Sequence, residues 1–241
     1  MEETVAGVEA FLVGIAQNLL EEFGSDVLSI NKPEPQYDKE QVKVSLVVNR
    51  LRDMAELDWG YHITVNLSRP SNIRSQKSEI VCSGHLNRST GATISSLTAF
   101  AAPISANSIL PDTLESFLND MNDSLVARLR FDIGLSDSQR IAQIQSRCIG
   151  HWRFSNTAEI VDLNIENILT SFVSNRRDDT VEMGEPEFFR TQFIRMGNAL
   201  VFVSQPKYVI TYVDDTSLEF GVIDNQLGQR WFQWSKTFTR L

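Results

Sequence analysis

Four residues in this chain have side chains and spacing suited to soft-metal or thiol chemistry. Cys82 and His85 lie in Val81-Cys82-Ser83-Gly84-His85. Cys148 and His151 lie in Arg147-Cys148-Ile149-Gly150-His151-Trp152-Arg153-Phe154. In both stretches Gly follows Cys by two positions and His by three. Two thiolates and two imidazoles make a tetrahedral zinc set, and Cys148 with His151 would also suffice for a thiol–imidazole pair. Either use requires the side chains to converge. On a β-strand, residues three apart point to opposite faces. Ile80, Cys82 and Leu86 share one parity, which leaves His85 on the other face. Cys148, Trp152 and Phe154 share a parity, and His151 falls with Arg153. The pattern therefore favours two buried thiols and two outward histidines. Zinc ligation by Cys82, His85, Cys148 and His151, or a Cys/His enzyme, is the lesser alternative.

Other chemistry has less support. A hydrolase triad would have to draw on His62, His85 or His151. No serine sits in a Gly-x-Ser-x-Gly elbow. There is no phosphate-binding Gly-x-x-x-x-Gly-Lys loop, no Gly-x-Gly-x-x-Gly turn and no His-Glu-x-x-His. Asp178, Asp179, Asp214 and Asp215 fall in expected turns and read as solvated. No catalytic residue and no cofactor is expected.

The elements that must position these residues follow from composition and period. The chain has 241 residues, 42% hydrophobic and 22% charged, enough to bury a sizeable core. Its 31 acidic and 22 basic side chains give a net charge of −9. That balance argues against nucleic acid, whose binding needs cations to displace phosphate counterions, and against an electrostatic grip on an anionic membrane. No apolar run is long enough to span a bilayer. The start, Met1-Glu2-Glu3, lacks the basic opening of a signal peptide. A cytoplasmic location is expected, or a periplasmic or secreted one if a signal peptide has been removed.

Of the 22 aromatic residues, eight lie in 1–146 and fourteen in 147–241. This shift places an expected domain boundary near residue 146. In the first part, Val5, Val8, Leu12, Ile15 and Leu19 form a helical stripe closed by Gly24. The stretch from Asn31 to Glu40 carries two prolines and mixed charge and reads as a loop. Period-two runs follow at 42–48, 61–67 and 80–86, then a fourth at 92–100 after a hairpin loop at 87–91. Leu114, Phe117, Leu118, Met121, Leu125 and Leu129 mark a second helix begun by Pro111 and Asp112. A third helix is expected over 136–147. The first part is thus expected to be an α+β sandwich of helices on an antiparallel sheet. The second part shows short strands at 151–154, 158–173, 188–195, 199–203, 208–213, 217–223 and 230–238, an all-β meander barrel.

Gly150-x-Trp152 at the entrance of this meander resembles the lipocalin signature, and the closing strands resemble bacterial lipocalin-like modules. The resemblance covers only 147–241. It implies that Trp152 plugs the closed end of a barrel, with a basic residue of the last strand, Arg230, Lys236 or Arg240, packed across its ring. Trp152, Phe154, Phe189, Phe193, Tyr208, Tyr212, Trp231 and Trp234 are candidates to line an apolar ligand pocket. A small barrel, however, fills its interior with its own side chains. The expected function is a non-enzymatic binding or assembly protein acting through protein–protein contacts, with a protein partner or self-association. Carriage of a small apolar ligand is the alternative.

Overall fold

The computed structural model describes residues 1–51, 60–69, 79–103, 110–156, 158–176, 185–196, 199–204, 206–224 and 231–241. They fall into two compact units. One is drawn from residues up to Leu129. The other is Arg130–Leu241 together with Thr90–Ala92.

In the first unit, α1 (Glu2–Phe23) precedes β1 (Leu28–Ile30), β2 (Glu34–Tyr37), β3 (Gln41–Arg50), β4 (Gly60–Ser68), β5 (Glu79–Arg88) and β6 (Thr93–Pro103), and α2 (Asp112–Gly134) follows. The sheet is antiparallel in the order β1-β3-β4-β5-β6, with β2 also pairing with β3. Its register aligns the apolar parity across strands. Val42, Leu67 and Cys82 form one row, Val44, Val65 and Gly84 the next, and Leu46, Ile63 and Leu86 a third. A one-residue slip would turn every one of these side chains to the other face, so burial pins the register. The α1 stripe expected from the sequence is buried as a whole, and so are Leu114, Leu118, Met121, Leu125 and Leu129 of α2. Each such side chain contributes roughly 1.5–3 kcal/mol. At Gly84 a Cβ would stand 2.6 Å from Cε1 of Phe117, so the missing side chain is what lets α2 approach β5. One expectation fails. Glu34–Tyr37, inside the stretch read as a loop, is a strand on β3. It lies at the sheet margin, where the proline's missing N–H costs no ladder bond.

Among the described residues the second unit takes in α3 (Asp137–Arg147) and nine strands: β7 (Gly150–Ser155), β8 (Glu159–Ile165), β9 (Leu169–Arg176), β10 (Glu187–Arg190), β11 (Phe193–Met196), β12 (Ala199–Phe202), β13 (Lys207–Val213), β14 (Ser217–Asp224) and β15 (Trp231–Arg240). The stretch expected as one strand over 158–173 is instead a hairpin of β8 and β9. The stretch 188–195 is broken by a corner at Thr191–Gln192.

The sheet order is β10-β9-β8-β7-β15-β14-β13-β12-β11, antiparallel throughout. Phe172 of β9 and Tyr208 of β13 stand five places apart in that order, yet their ring centroids are 5.6 Å apart. A flat sheet would hold them about 24 Å apart, so the sheet must curl into a half-barrel. Its two terminal strands, β10 and β11, are consecutive in sequence. At the corner between them the Thr191 N–H bonds the Ile168 carbonyl, and the Val203 N–H bonds the Gln192 carbonyl. The bent segment from Glu187 to Met196 thus carries both ends of the sheet. Phe131, Ile144 and Cys148, from the two helices, join the core of this unit.

Candidate functional site

The base of the curled sheet is built from the two ends of the unit. In β7 burial alternates: His151 and Arg153 are exposed and Trp152 is fully buried. The Trp152 indole N–H donates to the Cys148 carbonyl at 2.8 Å, tying the strand to the end of α3. Arg240 of β15 pairs with Trp152 in the ladder, and its guanidinium lies 5.0 Å from the centre of the indole. The same guanidinium donates to the Ile149 carbonyl at 2.9 Å. Gly150 makes room for this. Its φ of 144° is one that side-chain-bearing residues rarely adopt, and a Cβ there would lie 3.2 Å from Arg240 Nη2. Among the three basic residues considered for the Trp152 partner, Arg240 fills the place. Lys236 lies over Phe154 and Trp234 instead, at 4.9 and 5.2 Å, and pairs with Glu159. Arg230 lies outside the described residues.

Above this base the interior is ring on ring. Tyr208 stacks on Phe189 at 4.8 Å and on Phe220 at 5.1 Å, and Phe193 meets Phe202 at 4.4 Å. Trp152, Tyr208 and Tyr212 are members of this core, and Phe154, Phe189, Phe193 and Trp234 pack against it half-buried. Seven of the eight residues marked as ligand candidates therefore come together. The side chain of the eighth, Trp231, lies outside the described residues. Sequence reading passed over Phe172, Phe202, Phe220 and Phe238, which share inward parity and fill the same space. It also passed over Glu187, which accepts a hydrogen bond from the Tyr208 hydroxyl. Burial, then the hydrogen bond and charge of Glu187, push the Tyr208 phenol well above its ordinary value, so it stays a donor.

The thiols and imidazoles are held apart. Cys82 is buried on β5 with Ile80 and Leu86, and His85 is half-buried on the opposite parity. Cys148 is buried at the end of α3, and His151 is exposed. Neither cysteine is in a disulfide. Burial pushes both thiols up to about 11, so neither is a ready nucleophile at neutral pH. Burial, and then the nearby Lys43, lower the His85 imidazole. Among the described residues no three His, Cys, Asp or Glu side chains are grouped as a metal would need. Asp214 is a turn residue that accepts from the Thr216 and Ser217 N–H groups. Asp178 and Asp179 lie outside the described residues.

Exposed apolar residues recur around one corner of the backbone. Of eight large exposed hydrophobics among the described residues, five surround the Thr191–Gln192 corner: Ile168, Leu169, Phe188, Ile194 and Val203. Ile168 and Val203 are backbone-bonded to the corner itself and Leu169 pairs with Arg190, while Phe188 and Ile194 lie three and two residues from it along β10 and β11. Phe188 is 61% exposed and Ile168 80%. Among the described residues, the exposed carboxylates Glu166 and Glu185 lie near these residues in the chain, with the exposed guanidinium of Arg190; Glu187 is turned to Tyr208 instead. One sequence signal existed. Phe188 and Phe189 are adjacent, so on a strand they cannot both face inward. In the first unit an open cleft of about 950 Å3 is lined by Glu2, Glu3, Asp38, Lys39, Glu40 and Arg69, a mixed-charge surface.

No family model and no curated protein matches the chain. Among solved structures it was aligned to the crystal structure of the DNA polymerase III subunit beta from Pseudomonas aeruginosa, at 11% identity and a TM-score of 0.13. The alignment covers 96% of this chain and 60% of that one, and a score so low carries no argument. No described helix is long and apolar enough to cross a membrane.

Proposed function

We propose that this is a non-enzymatic binding or assembly protein that works through protein–protein contacts, with its second unit a lipocalin-like recognition module. The module reading is supported by Gly150-x-Trp152 on β7, by Arg240 of the last strand across the indole, and by the curled meander. The observation that carries the contact reading is the patch at the corner. Large apolar side chains exposed together mark an interaction surface more often than singly scattered ones do. Its occupant is a protein surface with apolar side chains bordered by lysine or arginine, because the flanking charge is mostly carboxylate.

Carriage of a small apolar ligand has less support, because the interior rings already contact one another and a ligand would have to displace them. Zinc or Cys/His chemistry has less support: His85 lies opposite Cys82 in strand parity, His151 is exposed while Cys148 is buried, and among the described residues no three His, Cys, Asp or Glu side chains are grouped.

The test is purification of tagged protein from its native host, with wild type beside the Ile168→Ser, Phe188→Ser double variant. Both positions are exposed, so stability should change by less than about 0.5 kcal/mol per site. The wild type should bring down a defined partner, or a second copy, that the variant loses at an unchanged melting temperature. Identical material from both would overturn the reading.

A further inference from the structure

We infer that β10 is the gate strand of the curled sheet: it swings off β9 and Tyr208 as one piece, while β13 and β14 stay paired, and so opens the ring-filled interior at its Glu187 end, pivoting on the Thr191–Gln192 corner. This stands apart from the contact reading, since it concerns motion within the unit rather than a partner.

Three features of β10 support it. First, its ladder is short. Four residue pairs join β10 to β9, as four join β11 to β12, against seven between β8 and β9 and eight between β14 and β15; two join β12 to β13 and two join β7 to β15, but those strands are paired on both sides and β10 is a terminal strand. Among the described residues β10 pairs with no other strand. Segments that open locally are those with few buried contacts and exposed backbone bonds. Second, three of its four residues, Glu187, Phe188 and Arg190, are exposed. Phe189 is its one half-buried residue, stacked on Tyr208 at an interplanar angle of 14° and edge-on to Phe202 at 5.0 Å. Third, the attachments are placed as a latch and a hinge. Glu187, at the leading end, accepts from the Tyr208 hydroxyl across the interior. At the trailing end Thr191 is held twice, by its N–H to the Ile168 carbonyl and by its hydroxyl to that of Thr170 at 2.8 Å. Releasing the latch leaves the hinge in place and uncovers Phe172, Phe202 and Tyr208.

Hydrogen exchange on the full chain tests this, comparing wild type with Tyr208→Phe and Glu187→Gln. In the wild type the amides of β10 should exchange faster than those of β13 and β14. Tyr208→Phe keeps the ring stack but removes the donor. It should speed β10 exchange by about tenfold, the scale of one hydrogen bond to a charged acceptor, with β13 and β14 unchanged. In Glu187→Gln the amide oxygen still accepts but without the charge, so β10 exchange should rise by less than in Tyr208→Phe. If wild-type β10 exchanges together with β13 and β14, the strand is no gate and the inference fails, whether or not the variants fold. It fails equally if Tyr208→Phe accelerates all strands alike or none.

Discussion

At the scale of single residues, the base of the curled sheet depends on Gly150 as much as on the two side chains it serves. A methyl group there would force an unfavourable φ and press on Arg240. Gly150→Ala should cost roughly 1–3 kcal/mol in chemical denaturation; a neutral result would mean that Arg240 does not need its place over Trp152. Asp214 makes a second test. Burial alone would raise its pKa. The Thr216 N–H, the Tyr212 hydroxyl, the Ser217 N–H and the Thr216 hydroxyl outweigh that and hold it below the usual carboxylate range. A carboxyl depressed in the folded state contributes stability above its unfolded pKa and loses it as pH falls through the folded value. Asp214→Ala should therefore cost about 1–2 kcal/mol at pH 7. Its difference from wild type should shrink in urea unfolding as pH drops below about 4. A difference that stays constant with pH would contradict the carboxylate's role. Residue parity was legible from the sequence at β5 and β7, because a half-buried strand alternates. The partner of Trp152 was narrowed to three cations and no further, because parity does not say which rung of β15 lies beside β7.

At the scale of elements, periodic burial made the helices readable and irregular burial hid the rest. The stripes of α1 and α2 stand in the sequence because each helix buries one face on a sheet. The start of α3 is set by a capping box in which Ser136 and Gln139 satisfy each other's backbone N–H groups. Ser136→Ala should lower stability by about 1 kcal/mol, measured by thermal unfolding. No loss would mean that α3 is held by Ile144 and Cys148 packing alone. β2 escaped notice because Pro33 and Pro35 signal a loop, and an edge strand buries too little to show a period. The corner at Thr191–Gln192 escaped for a different reason. Its residues keep an extended pattern, and the change of pairing partner from β9 to β12 is a long-range event that no local window records.

At the scale of the whole molecule, the charge of −9 and the apolar corner act together. Net charge keeps copies apart, while in the proposed reading the corner is the apolar surface that a basic partner would meet. The candidate site was half legible. Its aromatic residues could be named, but which of them fill the interior and which face out depends on the curl of the sheet. The exposed set, Ile168, Leu169, Phe188, Ile194 and Val203, comes from separate strands and turns, and only the pairing of those strands assembles it. The most direct measurement is photo-crosslinking in the native host, with a photoreactive amino acid at position 188 and, as a control, at the exposed Arg153 of β7. The contact reading expects a discrete adduct from position 188 that position 153 does not give. The absence of any adduct at 188, or the same adducts from both positions, would contradict it.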